Sequence, residues 1–285
     1  MALTAFVLAG GGSLGAVQVG MLKALCQRRI VPDLLVGASV GAINAAYFAA
    51  RPDAAGAAAL EQVWLGLRRA EVFPLSLRHS LSCLLGSGQY LVDSAPLQAL
   101  IAAQLPYSRL EQATVPCHVI ATDVLDGSEV DFSDGPAVPA LLASAAIPVV
   151  FPPVQLGGRY LADGGVGGLT PISVACALGA TRVLVLPTGR SCALQVPPRG
   201  AIAIALHTLN QMAMRQLQAD IERFAGRCDL QVVPPLCPLA VHAYDFSHTS
   251  ELIGRAEVST AAWLRDGPED PDPRWPLAPH RHPHH

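Results

Sequence analysis

Charged residues are scarce in this chain of 285 residues: they make up 14% of it, against 51% apolar residues, and the formal net charge is −3. No run of basic residues occurs, so the charge pattern of a nucleic-acid-binding protein is missing and we expect no nucleic-acid partner. The longest stretch without a charged residue, 135–158, contains five prolines, which excludes a regular membrane-spanning helix there. A chain this apolar can still expose an apolar rim, so we expect any contact with a membrane to be peripheral.

Paired cysteine motifs are also missing. The seven cysteines are odd in number, irregular in spacing and include no CxxC pair. Disulfide frameworks and zinc sites normally need such pairing, so the pattern favours buried free thiols in a reducing compartment. The sequence therefore predicts a cytoplasmic protein without a metal site.

Short apolar runs alternate with helical segments at the start of the chain. Residues 3–9 and 33–38 are predicted as buried strands, and residues 14–27 and 40–50 as helices. This alternation is typical of an α/β fold with a parallel sheet covered on both faces. Further strands are predicted at 117–122, 129–132, 149–154, 159–161, 182–186 and 230–233, and further helices at 54–69, 95–104, 139–146, 171–178, 201–224 and 251–264.

The domain organisation follows from the spread of these segments. No internal repeat is visible, and we predict one α/β domain over residues 1–265. Residues 266–285 are rich in proline and histidine and are predicted to form a disordered tail. Residues 73–90 mix Pro, Ser, Gly and Leu without a clear period, which fits either a lid over a site or an ordinary surface connection.

A Gly-x-Ser-x-Gly sequence, residues 37–41, lies between the second predicted strand and the second predicted helix. In a nucleophile elbow this pattern holds the serine, here Ser39, in a tight turn, and the glycines let neighbouring backbone pass without a clash. The following helix also directs the partial positive charge of its N-terminus at the site. The sequence therefore predicts Ser39 as a nucleophile.

A glycine-rich loop, residues 10–15, joins the first strand to the first helix. Gly10, Gly12 and Gly15 match the pattern of dinucleotide-binding folds, but those folds place an acidic residue at the end of the second strand. Asp33 lies at the start of that strand instead. We favour the alternative that the consecutive glycines present bare N–H groups as an oxyanion hole, worth about 2.7–4 kcal/mol per donor.

Two kinds of base for Ser39 are compatible with the residues alone. The order Ser39, Asp163, then His207 or His242 would suit a Ser-His-Asp triad, although several strands precede the elbow in that fold and only one does here. Asp163 begins an Asp-Gly-Gly sequence just after a predicted strand, where a polar side chain would lie at the edge of the sheet. Such a sequence is often only a turn.

Three motifs together, in this order, resemble the patatin-like phospholipase family: GGG at 10–12, GASVG at 37–41 and DGG at 163–165. The stretch 143–148, followed by 151–154, is also similar to the segment that precedes the catalytic aspartate in that family. The resemblance spans residues 3 to about 190 and implies a three-layer α/β/α sandwich with a mostly parallel central sheet.

The resemblance also implies a mechanism. Ser39 and Asp163 would form a dyad without histidine, and Gly10, Gly11 and Gly12 would supply the oxyanion hole. The substrates would be lipid acyl esters such as phospholipids and acylglycerols, and neither a metal ion nor an organic cofactor would take part. A non-catalytic lipid-binding or regulatory module on the same fold is the alternative.

One position departs from the family pattern. The glycine loop of the family often carries a basic residue where this chain has Leu14. A positive charge near the mouth of the site is therefore missing, which bears on anionic headgroups more than on catalysis because the oxyanion donors are backbone groups.

Overall fold

The computed structural model describes residues 3–74, 90–167, 171–267 and Leu277. The segment predicted as a lid or connection lies largely outside the described residues, and so does most of the predicted tail. Leu277 is an exception within that tail, because its side chain is buried against the core.

Strands and helices alternate along the chain. The strands are β1 (Thr4–Leu8), β2 (Leu34–Ala38), β3 (Cys117–Asp123), β4 (Glu129–Phe132), β5 (Val154–Leu156), β6 (Arg159–Asp163), β7 (Arg182–Leu186) and β8 (Asp229–Val232). The helices are α1 (Gly15–Gln27), α2 (Val40–Ala50), α3 (Ala54–Gly66), α4 (Arg69–Val72), α5 (Ala95–Gln104), α6 (Ala137–Ser144), α7 (Pro171–Ala177), α8 (Ala201–Phe224) and α9 (Thr249–Asp266). Short 3₁₀ helices lie at Gly12–Leu14 and Leu110–Gln112.

The strands form one mixed sheet in the order β5-β6-β3-β2-β1-β7-β8, and β4 also pairs with β3. Strands β1, β2, β3, β7 and β8 are parallel to their neighbours in this set, whereas β4, β5 and β6 pair in antiparallel fashion. The predicted mostly parallel sheet is confirmed.

Helices cover both faces of this sheet. Along β1 the side chains alternate, so Phe6 and Leu8 pack into a core cluster with helices α1, α2, α3 and α9. Ala5 and Val7 pack into a second cluster with α7 and the C-terminal half of α8. Two apolar layers separated by one sheet make the three-layer α/β/α sandwich that the sequence predicts.

The register along β3 brings two strand ends together. Val119 pairs with Gly37 of β2 and also with β4, so β2 and β4 lie on opposite edges of β3. Ala121 pairs with β4 and with Asp163 of β6, so β6 lies on the same edge as β2. Because β2 runs parallel to β3 and β6 runs antiparallel to it, their carboxyl ends approach each other along that edge.

Helices α1 and α9 approach each other closely. A Cβ at Gly20 of α1 would overlap the carbonyl oxygen of Ile253 in α9. Lys23 adds ion pairs with Glu61 and Glu257 at 2.9 and 2.6 Å. The glycine therefore sets the distance between α1 and α9, and the ion pairs of Lys23 join α1 to both α3 and α9.

Some predicted segments differ from the structure. The predicted strand at 149–154 is wrong except at its last residue: residues 148–150 form a turn in which Val149 has φ 70°, and β5 begins only at Val154. The predicted helix 54–69 ends at Gly66, and α4 follows as a separate turn. In the first case the apolar run continues through a turn in which Val149 is exposed, and in the second the extended backbone at Leu67 and Arg68 separates the two helices.

The cysteines are only partly as expected. None of the described cysteines, which are Cys26, Cys117, Cys176, Cys192, Cys228 and Cys237, forms a disulfide, and Cys83 lies outside the described residues. Cys26 and Cys117 are buried, but Cys237 is exposed, so the expectation of buried thiols is wrong there.

Within the described ranges no three or more His, Cys, Asp or Glu side chains are grouped so that they could hold a metal ion. In the same ranges no helix is long and apolar enough to cross a membrane.

Candidate active site

Ser39 occupies a strained turn between β2 and α2. Its backbone has φ 56° and ψ −132°, a region that non-glycine residues seldom adopt and that is often found at functional sites. A Cβ at Gly37 would lie 2.6 Å from the Cα of Ala42, and one at Gly41 would overlap the carbonyl oxygen of Leu8. The two glycines of the motif are thus required by close backbone contacts, as the nucleophile-elbow prediction supposes.

Ser144 holds this turn in place. Its hydroxyl accepts a hydrogen bond from the Ser39 N–H at 2.9 Å and donates one to the carbonyl oxygen of Ile120 at 2.6 Å. The side chain is completely buried, so both bonds are shielded from water. Ser144 therefore ties the elbow to α6 and β3, a role that the sequence did not reveal.

The glycine loop passes directly beside Ser39. A Cβ at Gly10 would lie 3.0 Å from the Cβ of Ser39, and a Cβ at Gly11 or Gly12 would overlap Thr188 or the Ala243 carbonyl oxygen. The Thr188 hydroxyl donates a hydrogen bond to the Gly10 carbonyl oxygen at 2.7 Å. Among the described residues, no hydrogen bond engages the N–H groups of these three glycines.

A buried hydrogen-bond network holds the backbone directly before the glycine loop. Gln18 donates to the carbonyl oxygens of Ala9 and Leu186 at 2.7 and 2.9 Å. Asn44 donates to the side-chain oxygen of Gln18 at 2.8 Å, and the indole N–H of Trp64 donates to Asn44 at 2.8 Å. Satisfied buried networks of this kind stabilise one arrangement of the backbone, here the turn that leads into the glycine loop.

Asp163 is the last residue of β6, and it is 6% exposed. Its Oδ1 accepts a hydrogen bond from the Gly165 N–H at 2.8 Å, and its own N–H donates to the Ala146 carbonyl oxygen at 2.9 Å. Its Oδ2 is buried and has no hydrogen-bond partner in the described part of the chain. A Cβ at Gly164 would overlap the Ile120 carbonyl oxygen, which explains the glycine that follows the aspartate.

Burial changes the acidity of this carboxyl group. Desolvation raises the pKa of Asp163 to about 6, while the Ser39 hydroxyl and the Gly165 N–H oppose the increase. A charged carboxylate is unfavourable in a dry site, so the group takes up a proton more readily than an ordinary aspartate. Its pKa then lies in the range that suits a general base at neutral pH.

Two cavities meet at Ser39. The apolar cavity, about 100 Å³, is lined mostly by apolar side chains, among them Ile43, Leu60, Trp64, Leu97, Leu141 and Phe151. The aspartate cavity, about 40 Å³, is lined by Gly10, Gly11, Gly12, Asp163 and residues of α8. Ser39, Gly12 and Ile147 line both. The predicted nucleophile, base and glycine loop therefore share one small space.

The other predicted candidates lie elsewhere. Of the described histidines, none lines either of these cavities; His118 contacts Asp131, with 2.8 Å between Nδ1 and Oδ2. His79 lies outside the described residues. Leu14 is fully buried in the core and lines neither cavity, so the position that departs from the family pattern does not face the site.

The serine lies in a strand-to-helix turn beside a glycine loop, at the carboxyl edge of a largely parallel sheet in an α/β/α sandwich. This arrangement defines a hydrolase type of architecture. The patatin-like phospholipase family model matches residues 6–176, more than half of the chain. The chain belongs to the patatin-like phospholipase family.

Individual relatives agree with this placement. An uncharacterized NTE family protein of Mycobacterium tuberculosis is 30% identical over 227 residues, 78% of this chain and 59% of that protein. Patatin-like phospholipase domain-containing protein 7 of Mus musculus is 27% identical over 189 residues, 65% of this chain and 13% of that protein. VipD from Legionella pneumophila shares the fold with a TM-score of 0.50 at 14% identity, covering 97% of this chain and 66% of VipD. This chain thus spans 59% and 13% of the length of the two curated relatives.

Proposed function

We propose that this protein hydrolyses lipid acyl esters through a dyad of Ser39 and Asp163. The observation that carries the proposal is the aspartate cavity, which the elbow serine, the glycine loop and a buried carboxylate line together. We assign this activity to a hydrolase domain over residues 1–265.

The reaction would proceed in two steps through an acyl-enzyme. Asp163 takes the proton of the Ser39 hydroxyl while that oxygen attacks the ester carbonyl, and the N–H groups of Gly10, Gly11 and Gly12 bind the resulting oxyanion. The ester C–O bond then breaks, and the leaving alcohol takes the proton from Asp163. Water attacks the acyl-enzyme with Asp163 again as base, which releases the acid and restores Ser39.

The electrostatics of the site favour these steps. The raised pKa of Asp163, about 6, makes it a stronger base than an exposed aspartate, yet leaves it largely deprotonated at neutral pH. Helix α2 begins at Val40, directly after the serine, so the partial positive charge of its N-terminus favours the developing negative charge. No cofactor is needed for this chemistry.

The cavities support a lipid as substrate. The apolar cavity opens at Ser39 and offers an acyl chain a hydrocarbon surface. Val124, Leu125 and Tyr160 are exposed, and the Val124 N–H donates to the Tyr160 carbonyl oxygen, so these residues are neighbours on the surface. We propose that they provide peripheral contact with a membrane, and that the protein, whose described cysteines form no disulfide, works in the cytoplasm.

An ester assay tests the proposal. Wild type is expected to hydrolyse a short-chain p-nitrophenyl ester, and Ser39→Ala and Asp163→Asn should each lower kcat by about 10²–10⁴-fold, since each removes a group that acts in the transition state. Asp126→Asn, an exposed turn residue, is the matched control and should keep the wild-type rate. Profiling of a lipid extract with wild type against Ser39→Ala then identifies the natural ester.

Contrary outcomes separate the alternatives. Equal rates in wild type, Ser39→Ala and Asp163→Asn would contradict hydrolysis of this substrate class, and lipid binding without turnover would favour the non-catalytic module. Loss of activity on replacing His207 or His242, with the fold intact, would replace the dyad by a triad.

A further inference from the structure

Asn210 is a buried polar residue of α8 that lines the aspartate cavity beside Ser39 and Asp163. The side chain is 3% exposed, and neither its Nδ2 nor its Oδ1 has a hydrogen-bond partner within the described residues. Most buried polar groups in proteins are paired, because an unpaired one disfavours the folded state. An amide kept unpaired beside the nucleophile indicates a partner that arrives with the substrate.

The neighbours of Asn210 on α8 are apolar. Leu206, Leu209 and Ala213 line the same cavity, and residues three and four apart share one face of a helix. Asn210 is therefore the polar group that the described α8 contributes to this wall. A hydrogen bond formed there is shielded from water and is correspondingly strong.

The alcohol part and the acyl chain of the ester are expected to lie in different cavities. Asp163 lines the aspartate cavity and not the apolar one. In the proposed reaction Asp163 returns the proton to the leaving oxygen, so the alcohol must lie on its side of Ser39. The apolar cavity then takes the acyl chain, and Asn210 faces the alcohol.

We propose that Asn210 hydrogen-bonds the alcohol part of the ester and selects alcohols that carry a hydroxyl group near the ester oxygen, as glycerol does. The inference rests on the proposed hydrolase function. The amide both donates and accepts hydrogen bonds, as a hydroxyl group does. Asn210 can therefore either donate to the hydroxyl of the alcohol or accept a hydrogen bond from it. A simple alkyl alcohol would leave the amide unpaired.

Two esters that differ only in the alcohol test this selection. 1-Octanoylglycerol and propyl octanoate have the same acyl chain and the same three-carbon alcohol skeleton, with and without the two free hydroxyl groups. Asn210→Leu and Asn210→Ala should lower kcat/KM for the glycerol ester by about 10–100-fold, because the hydroxyl loses its buried partner. For the propyl ester the change should stay within about threefold, which also shows that the variants are folded and that Ser39 is reactive.

Thr260→Val is the matched control. Thr260 of α9 is another fully buried side chain whose oxygen has no hydrogen-bond partner in the described ranges, and it lines neither cavity. This variant should leave the ratio of the two kcat/KM values unchanged. If the Asn210 variants lose the same activity on both esters, or lose none on either, the proposed hydrogen bond between Asn210 and the alcohol is refuted. If wild type cleaves neither ester in a Ser39-dependent way, the hydrolase proposal itself fails and the inference falls with it.

Discussion

Replacing Asp163 by asparagine should make the protein more stable at neutral pH while it removes the base. The pKa of Asp163 is about 6, roughly two pH units above that of an ordinary aspartate, and each unit corresponds to about 1.4 kcal/mol. Burying the charged form therefore costs about 3 kcal/mol at pH 7–8. Asparagine keeps the oxygen that accepts the Gly165 N–H and carries no charge, so the free energy of unfolding should rise by up to this amount.

The gain should depend on pH with a definite sign. The native state holds the Asp163 proton up to about pH 6, whereas the unfolded chain releases it near pH 4. Stability of the wild type therefore falls as the pH rises from about 4 to about 6 and is constant above that range, as far as this group is concerned. The advantage of Asp163→Asn should be largest at pH 8 and mostly lost at pH 4.

Thermal unfolding of both proteins at pH 4 and pH 8 measures this difference. For a domain of this size about 3 kcal/mol corresponds to a rise in Tm of roughly 5–10 °C at pH 8. Asp53→Asn is the control and should lower the Tm at pH 8 instead. Asp53 is exposed, and its carboxylate accepts the Gly56 N–H at the start of α3, which lowers its pKa. An unchanged or lower Tm for Asp163→Asn at pH 8, or a gain that persists at pH 4, would refute a buried, destabilising carboxylate.

Further predictions concern the support of the site and the helix packing. Ser144→Ala should lower the free energy of unfolding by about 1–3 kcal/mol, measured in urea, and should reduce kcat because the Ser39 N–H loses its acceptor; unchanged values of both would contradict the role of Ser144. Gly254→Ala in α9, where an added Cβ has nothing within 4 Å, should stabilise the protein by about 1 kcal/mol. Gly20→Ala should lower the Tm instead, since its Cβ would overlap the Ile253 carbonyl oxygen, and equal effects of the two glycine variants would exclude a close contact between α1 and α9.

Much of the frame can be predicted from the sequence because its signals are local. Helical spacing predicts 40–50, 95–104 and 201–224, and α2, α5 and α8 have those bounds. The glycine spacing around Ser39 likewise reports backbone contacts that any elbow must make. The turn at Val149 escapes such reasoning, because a short apolar run does not distinguish a strand from other structures, and Val149 itself is exposed.

The supporting polar residues are harder to predict, since their role depends on distant parts of the chain. Ser144 contacts the elbow across 105 residues of sequence, and nothing in its neighbours indicates that contact. Gln18 and Asn44 do leave a weak signal, because each is a polar residue on an apolar helical stretch, whereas Asn210 has polar neighbours in the sequence and leaves none. Asp163 is intermediate: its turn is unremarkable alone, and its place depends on the ordered motifs.

The shared edge of β3 has a consequence for how such a site can diversify. The spacing of Ser39 and Asp163 is set by the main-chain pairing of β2 and β6 with β3, while the walls of both cavities come mainly from helices. The side chains that line the cavities can therefore vary with the substrate, while strand pairing keeps Ser39 and Asp163 in place. The pairing itself allows no gradual change, because a slip of β6 by one residue would turn the carboxyl group to the opposite face of the sheet.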